Sequence, residues 1–152
     1  MRSTLSAIFV LALTTPLAAQ TPKPEELQKP NKEFAAAVNT KDFPRLMATY
    51  TDDAVVMPPN GPAITGKVKI EAFWKEIIDQ GMRVESLTST GAGGSGAWGH
   101  DSGIVELRFA PAYGSPVMDT IKYVTVLQRG TDGVWRISRD IWNSDLPAGS
   151  GK

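Results

Sequence analysis

The spacing of apolar residues changes character near the middle of the chain. Before residue 82 it is helical: Phe34, Ala35 and Val38 fall on one face. Pro30 is expected to start that helix, because proline is best tolerated at the first helical position. A second, shorter helix is predicted from Asp42 as N-cap, with Phe43, Leu46, Met47 and Tyr50 on one side. Residues 39–42 then connect the two into an αα-hairpin. A short apolar strand at residues 54–57 is stopped by Pro58-Pro59-Asn60-Gly61-Pro62, a rigid turn, because prolines cannot continue a ladder. The third helix has the cleanest stripe, Ile70, Phe73, Trp74, Ile77 and Ile78, with charged residues between and Gly81 as its stop. That stripe must be buried, so Phe73 and Trp74 read first as core.

From Met82 onward the pattern alternates. Met82, Val84, Ser86 and Thr88 suggest a strand, followed by Gly91, Gly93, Gly94, Gly96 and Gly99. A phosphate cradle would need a helix after the glycines and a Lys-Ser or Lys-Thr pair. Another strand follows instead, at residues 103–109, so the glycines are expected to form a flexible hairpin connection. Residues 110–116 are loop. The chain closes on residues 120–145, TIKYVTVLQRGTDGVWRISRDIWNSD, in which Asp132-Gly133 marks a hairpin turn. A two-residue loop pairs Thr131 with Val134; a four-residue loop pairs Arg129 with Val134. Either register puts Tyr123 on one face with Asp140 and Trp142. The other face then takes Val124, Val126, Trp135, Ile137, Arg139, Ile141 and Asn143. Helices first and antiparallel strands afterwards imply an α+β domain, with N-terminal helices packed on a curved antiparallel sheet.

Length and composition narrow this further. The 152 residues suffice for one domain and not two. Residues 1–19 combine Arg2, an apolar run and the small residues Ala18 and Ala19, the order of a secretory signal peptide. The run is too short to span a bilayer, so export to the periplasm or the extracellular space is expected, with cleavage after Ala19 and no stable membrane anchor. Residues 20–29, which include Pro22 and Pro24, are expected to form a flexible mature N-terminus, residues 30–146 the domain, and residues 147–152 a disordered tail. There is no cysteine, hence neither disulfides nor a thiolate nucleophile. Sixteen cations balance sixteen anions, and without a basic stripe nucleic acid is disfavoured as a partner.

Chemistry is sparse. With one histidine and no cysteine, neither a metal site nor a serine triad is supported. His100 beside Asp101 has the residue types for proton abstraction next to a carbonyl. Neighbours on a strand point to opposite faces, however, so Asp101 cannot orient His100 without a bulge, and a solvated histidine is the plainer expectation. On the terminal hairpin, Arg139 and Asn143 sit on an otherwise apolar face, as on the wall of a small-molecule pocket. Alternatively Arg139 pairs with Asp52 or Asp53 at the rim. A bulge near Arg139 would exchange the two faces and bring Asp140 and Trp142 inside.

Several pieces, in order, resemble one family. They are Phe34-Ala35-Ala36-Ala37-Val38-Asn39 with Asp42; Tyr50-Thr51-Asp52-Asp53-Ala54; Gly66 with Ile70 and Phe73; and the ending Lys122-Tyr123, Asp132-Gly133-Val134-Trp135 and Arg139-Asp140-Ile141-Trp142-Asn143-Ser144. Together they resemble the NTF2-like superfamily, in particular its SnoaL-like and DUF4440 branch. The resemblance implies a cystatin-like cone with a pocket between helices and sheet, and a homodimer formed through the outer sheet face. It implies no single activity. Where a steroid isomerase of this fold has a base, a helix-one tyrosine and a second acid, this chain has about Pro58, then Phe34, then Val124 or Thr125, so that mechanism is not inherited. The expectation is a small, partly apolar organic ligand, with cofactor-free isomerase, cyclase or dehydratase chemistry if the protein is an enzyme. The alternative is a non-catalytic interaction or assembly domain. Candidate catalytic residues are Asp140, Tyr123 and His100. Candidate ligand-binding residues are Arg139, Asn143, Trp142, Tyr50, Met57 and Trp74.

Overall fold

The computed structural model describes residues 21–110 and 112–146. The expected signal peptide with its cleavage point, and the expected C-terminal tail, lie outside those residues. Helix α1 spans Pro24–Thr40 and α2 Phe43–Ala48; strand β1 spans Tyr50–Met57 and β2 Ile64–Thr65; α3 spans Lys67–Asp79. The strands β3 Met82–Ser95, β4 Trp98–Phe109, β5 Val117–Arg129 and β6 Trp135–Ser144 follow. The helices pack on a curved six-stranded sheet in the order β2-β1-β6-β5-β4-β3, an α+β domain of cystatin-like fold. All pairings are antiparallel except β1 with β6, which run parallel. Among the described residues, no helix is long and apolar enough to cross a membrane.

The first helix begins six residues earlier than its proline suggested. Pro24, not Pro30, takes the N-terminal position, and the Glu26 carboxylate accepts the Lys23 backbone N–H at 3.1 Å. Pro30 lies inside the helix, where proline costs about 3 kcal/mol. Burial offsets that cost. The extra turns bury Leu27, Pro30 and Asn31 on the face that continues to Val38, and one fully buried leucine contributes about 1.5–3 kcal/mol. Residues 24–29 are therefore helix rather than a flexible leader, and Pro22 before them is buried.

The glycines also depart from expectation. Gly91, Gly93 and Gly94 lie in β3 and Gly99 in β4, paired in register, so this stretch is a long hairpin and not a loop. Its glycines seat α1: a Cβ on Gly99 would stand 2.6 Å from Leu27 Cδ2. The second helix matches its signal, with the Asp42 carboxylate accepting the Arg45 N–H at 3.0 Å, but it ends at Ala48 and hands Tyr50 to β1. The third helix and its stop, Gly81 at φ 99°, are as the pattern indicated.

The terminal hairpin sets the geometry of the interior. Arg129 pairs with Trp135 across residues 130–134, and a bulge between Val126 and Leu127 on the β5 side then places Ser138 as the extra residue of β6. Beyond it the register matches that of a two-residue loop, with Tyr123 opposite Trp142 and Thr125 opposite Asp140. The bulge carries Trp135 and Ile137 to the same buried face as Tyr123 and Asp140. Arg139, Ile141 and Asn143 are left on the outside, the reverse of the pocket face first read for Arg139 and Asn143.

Candidate functional site

Three strands place a row of polar side chains on the concave face. Asp101 of β4 pairs with Thr125 of β5, which pairs with Asp140 of β6; all three are buried. One row along, Gly103, Tyr123 and Trp142 are partners in the same way. The missing side chain at Gly103 is required: a Cβ there would lie 2.9 Å from the Tyr123 ring and 2.1 Å from the Thr88 carbonyl. Tyr123 thus leans across Gly103 and donates its hydroxyl to Asp101 at 2.9 Å.

The two carboxylates have unequal surroundings. Asp101 accepts from Tyr123, from Asn31 Nδ2 at 2.7 Å and from the Ser89 hydroxyl. The other Asn31 amide hydrogen goes to Thr125 Oγ1 at 2.9 Å, tying α1 to the row. Asp140 accepts one hydrogen bond, from the Tyr50 hydroxyl at 2.6 Å, and Tyr50 in turn accepts from Trp74 Nε1 at 3.1 Å. Among the described residues no donor reaches Asp140 Oδ1. Burial pushes the Asp140 carboxyl up to about 6, against which the Tyr50 hydrogen bond pulls it down. Burial, followed by the nearby Asp140 charge, raises Tyr50 well above the usual phenol range. Tyr123 is raised as well, by burial first and then by Asp101. Both phenols remain neutral donors.

Asp140, Tyr123 and Asn31 contribute polar atoms to the wall of a cavity of about 100 Å³ between the helices and the sheet. The rest of the wall is apolar. Trp74 and Trp142 stack at 5.3 Å, and Phe34 meets Trp74 edge-on at 4.9 Å. Such a space, apolar with a few convergent polar groups and a shifted carboxyl, has the character of a ligand or catalytic site.

Of the residues singled out in the sequence, the structure brings Asp140, Tyr123, Trp142 and Trp74 to this cavity, with Tyr50 directly behind Asp140. It does not bring the other four. His100 is exposed on β4, on the opposite face from its buried neighbour Asp101. Arg139 turns back to the Ser138 carbonyl at 2.7 Å, while Lys67 pairs with Asp52. Asn143 is exposed, and Met57 pairs with Ile141 at the far end of β1. The bulge at Ser138 explains Arg139 and Asn143; strand alternation explains His100. Three contributors were not foreseen as site residues: Asp101, Asn31 and Phe34. Asn31 and Phe34 are three apart on α1, within the helix expected from Pro30 onward, but nothing local marks an Asn on that apolar stripe as lining a cavity. Asp101 stands at the inward parity of Gly103, Val105 and Leu107. Among the described residues, no group of three His, Cys, Asp or Glu could hold a metal.

A family model for the SnoaL-like domain matches residues 31–136, which include α1 from Asn31 onward, α3 and most of the cavity wall, though not Asp140 and Trp142. The chain belongs to the SnoaL-like family. Solved structures show the same fold at low identity. A ketosteroid isomerase-like protein from Erwinia carotovora atroseptica SCRI1043 is 21% identical, with a TM-score of 0.66, covering 82% of this chain and 97% of that one. An NTF2-like protein from Streptomyces avermitilis, named as a candidate dehydratase, is 17% identical with a TM-score of 0.69, covering 82% and 100%. An NTF2-like protein with a cystatin-like fold from Novosphingobium aromaticivorans is 16% identical with a TM-score of 0.62, covering 84% and 83%. No curated protein matches the chain at a significant level. SnoaL-like membership accords with small-ligand binding between helices and sheet, where this chain has its cavity.

Proposed function

We propose that this protein binds a small, partly apolar organic molecule in the cavity and that Asp140 is the group that exchanges a proton with it. The observation that carries the reading is the buried Asp140 carboxyl, which lines an apolar space and has one oxygen without a donor among the described residues. A carboxyl at about 6 is poised to gain or lose a proton near neutral pH. Cofactor-free acid–base chemistry of the isomerase, cyclase or dehydratase type fits such a group, and the NTF2-like neighbour named as a candidate dehydratase is consistent with that class.

The test uses thermal melts with a panel of small cyclic ketones, alcohols and amines against the native chain and Val105→Phe, which fills the cavity from β4. At least one compound should raise the native melting temperature and none that of Val105→Phe. A panel that stabilises neither, or both equally, sinks the reading. Asp140→Asn should retain binding of the neutral members of the panel and lose any turnover.

Two further parts of the reading concern context. The outer sheet face exposes Ile104, Val124, Val126 and Ile141 side by side, which favours a homodimer through that face over a solvated one. Val124→Asp should then halve the mass seen by sedimentation. The same patch is the observation favouring the non-catalytic interaction reading, in which a different protein covers it. Export follows from the signal-like order of residues 1–19; a mature chain starting at Gln20 in the periplasm or medium is the expected product.

A further inference from the structure

We propose that the cavity's preferred ligand is a small organic amine in its protonated form, its ammonium donating to the free oxygen of Asp140 and its hydrocarbon lying against Phe34, Trp74 and Trp142. The inference rests on the cavity being a ligand site, and it names the charged group that pairs with Asp140 there.

Charge is the first argument. Asp140 is the one charged residue among those lining the cavity, and no Lys, Arg or His accompanies it there. The titratable groups facing it are Tyr50 from β1 and Tyr123 from β5, with Asp101 of β4 behind Tyr123; α1 brings Asn31 and α3 brings Trp74. None is a cation. A carboxylate or phosphate ligand would meet an uncompensated negative charge in a largely apolar space. A neutral ligand would leave that charge unpaired, and an ammonium supplies the missing counter-ion.

Hydrogen-bond polarity is the second argument, and it is independent of the first. Asn31 spends both amide hydrogens on Asp101 and Thr125, and Tyr123 spends its proton on Asp101. What these side chains have left is acceptor capacity: Asp140 Oδ1, the Tyr123 lone pairs and Asn31 Oδ1. The indole N–H of Trp142 is the one donor on the wall with no partner among the described residues. A wall this rich in acceptors suits a ligand that brings its own donors, and an ammonium brings up to three. The aromatic side chains add favourable surface for a cation. Size is the third argument. A cavity of about 150 Å³ accommodates a benzene ring, so about 100 Å³ restricts the hydrocarbon to a small ring or branched alkyl group.

Calorimetric titration of the full chain with cyclopentylamine, cyclopentanol, cyclopentanone and cyclopentanecarboxylate holds shape nearly constant while varying charge and donor character. At pH 8 the amine should bind at least about tenfold tighter than the alcohol or the ketone, a one-unit pKa equivalent, and the carboxylate should not bind. Amine affinity should be flat from about pH 6 to about pH 9, below the amine's own pKa of about 10, and fall about tenfold per pH unit below pH 6 as Asp140 takes up its proton. Asp140→Asn should abolish the amine's advantage and keep alcohol binding. A ketone that outcompetes the amine and tightens as pH falls would overturn the amine class while leaving the cavity reading in place. Silence from all four also overturns the amine, and the cavity reading falls with it only if the wider thermal-melt panel is silent too.

Discussion

Asp101 and Asp140 share one row of the sheet, on either side of Thr125, and both are buried. Sequence chemistry treats them alike; their neighbours do not. Around Asp101 three donors converge from α1, β3 and β5, so its oxygens are held by Asn31, Ser89 and Tyr123 and lock helix to sheet. Around Asp140 a single phenol, itself held by Trp74, satisfies one oxygen and leaves the other toward the cavity. A buried carboxylate with a full set of donors is a structural joint, whereas one with a vacant oxygen in an apolar cavity is available for chemistry.

The largest effect should come from breaking the joint. Asp101→Asn replaces one acceptor oxygen with an N–H group facing donors from Asn31, Tyr123 or Ser89. Each unsatisfied buried group costs about 1–3 kcal/mol, so the variant should lose about 3 kcal/mol or more in urea unfolding. A loss under about 1 kcal/mol would mean the convergence on Asp101 is not structural.

The same substitution at Asp140 should have the opposite sign. The folded value of about 6 lies above the ordinary 3.8, so the folded chain holds this proton more tightly than the unfolded chain does. The contribution of Asp140 to native stability is therefore greatest below the unfolded value, declines as pH rises from about 4 to about 6, and levels off above. At pH 7 the penalty is on the order of 3 kcal/mol. Asp140→Asn removes it while keeping an oxygen for Tyr50. Chemical denaturation should show the variant gaining up to about that amount at pH 7, with the difference closing toward pH 4. A variant less stable than native at pH 7 would put Asp140 in the same class as Asp101.

Much of this architecture is legible in the local sequence. The period change at Met82, the α3 stripe and the Asp42 cap act locally, over a few residues, and the structure follows them; the Asp132-Gly133 turn falls where expected, but Arg129 pairs with Trp135, so the loop is neither of the two lengths expected. What could not be read depends on long-range compensation. An interior proline is tolerated at Pro30 because Leu27 gains burial against Gly99, some seventy residues away in sequence. The faces of β6 were undecidable because one extra residue at Ser138 flips every side chain after it, and nothing local to Ile137-Ser138-Arg139 announces a bulge. The site inherits that ambiguity. Asp140, Tyr123, Trp142 and Trp74 were recognisable by type, but so were Arg139 and Asn143, and only parity separates them.

A smaller effect probes how Asp140 is held. Tyr50→Phe removes the donor that lowers the Asp140 pKa, so the carboxyl should titrate above about 6, followed through the pH dependence of Trp74 and Trp142 fluorescence. Trp74 loses its acceptor at the same time, adding about 1–3 kcal/mol of destabilisation. The pH midpoint separates the two consequences, since a purely structural role for Tyr50 would lower stability and leave the titration unmoved. A midpoint that fell would contradict the hydrogen bond's direction.

The smallest effects belong to the outer face, where the contrast between the two aspartates predicts silence. His100 and Arg139 are both paired with Val126 in the β-ladder, on the side of the sheet away from Asp101 and Asp140. Arg139 bonds only to its neighbour Ser138 among the described residues. His100→Ala and Arg139→Ala should therefore change monomer stability by no more than about 0.5 kcal/mol and leave both the Asp140 titration and ligand affinity unchanged. If either variant moves the Asp140 midpoint, the outer face is coupled to the cavity through β5, and the sheet then transmits between its faces rather than separating them. If either instead changes only the sedimentation behaviour, the side chain acts at a subunit interface, and the division between an inner chemical face and an outer associating face stands.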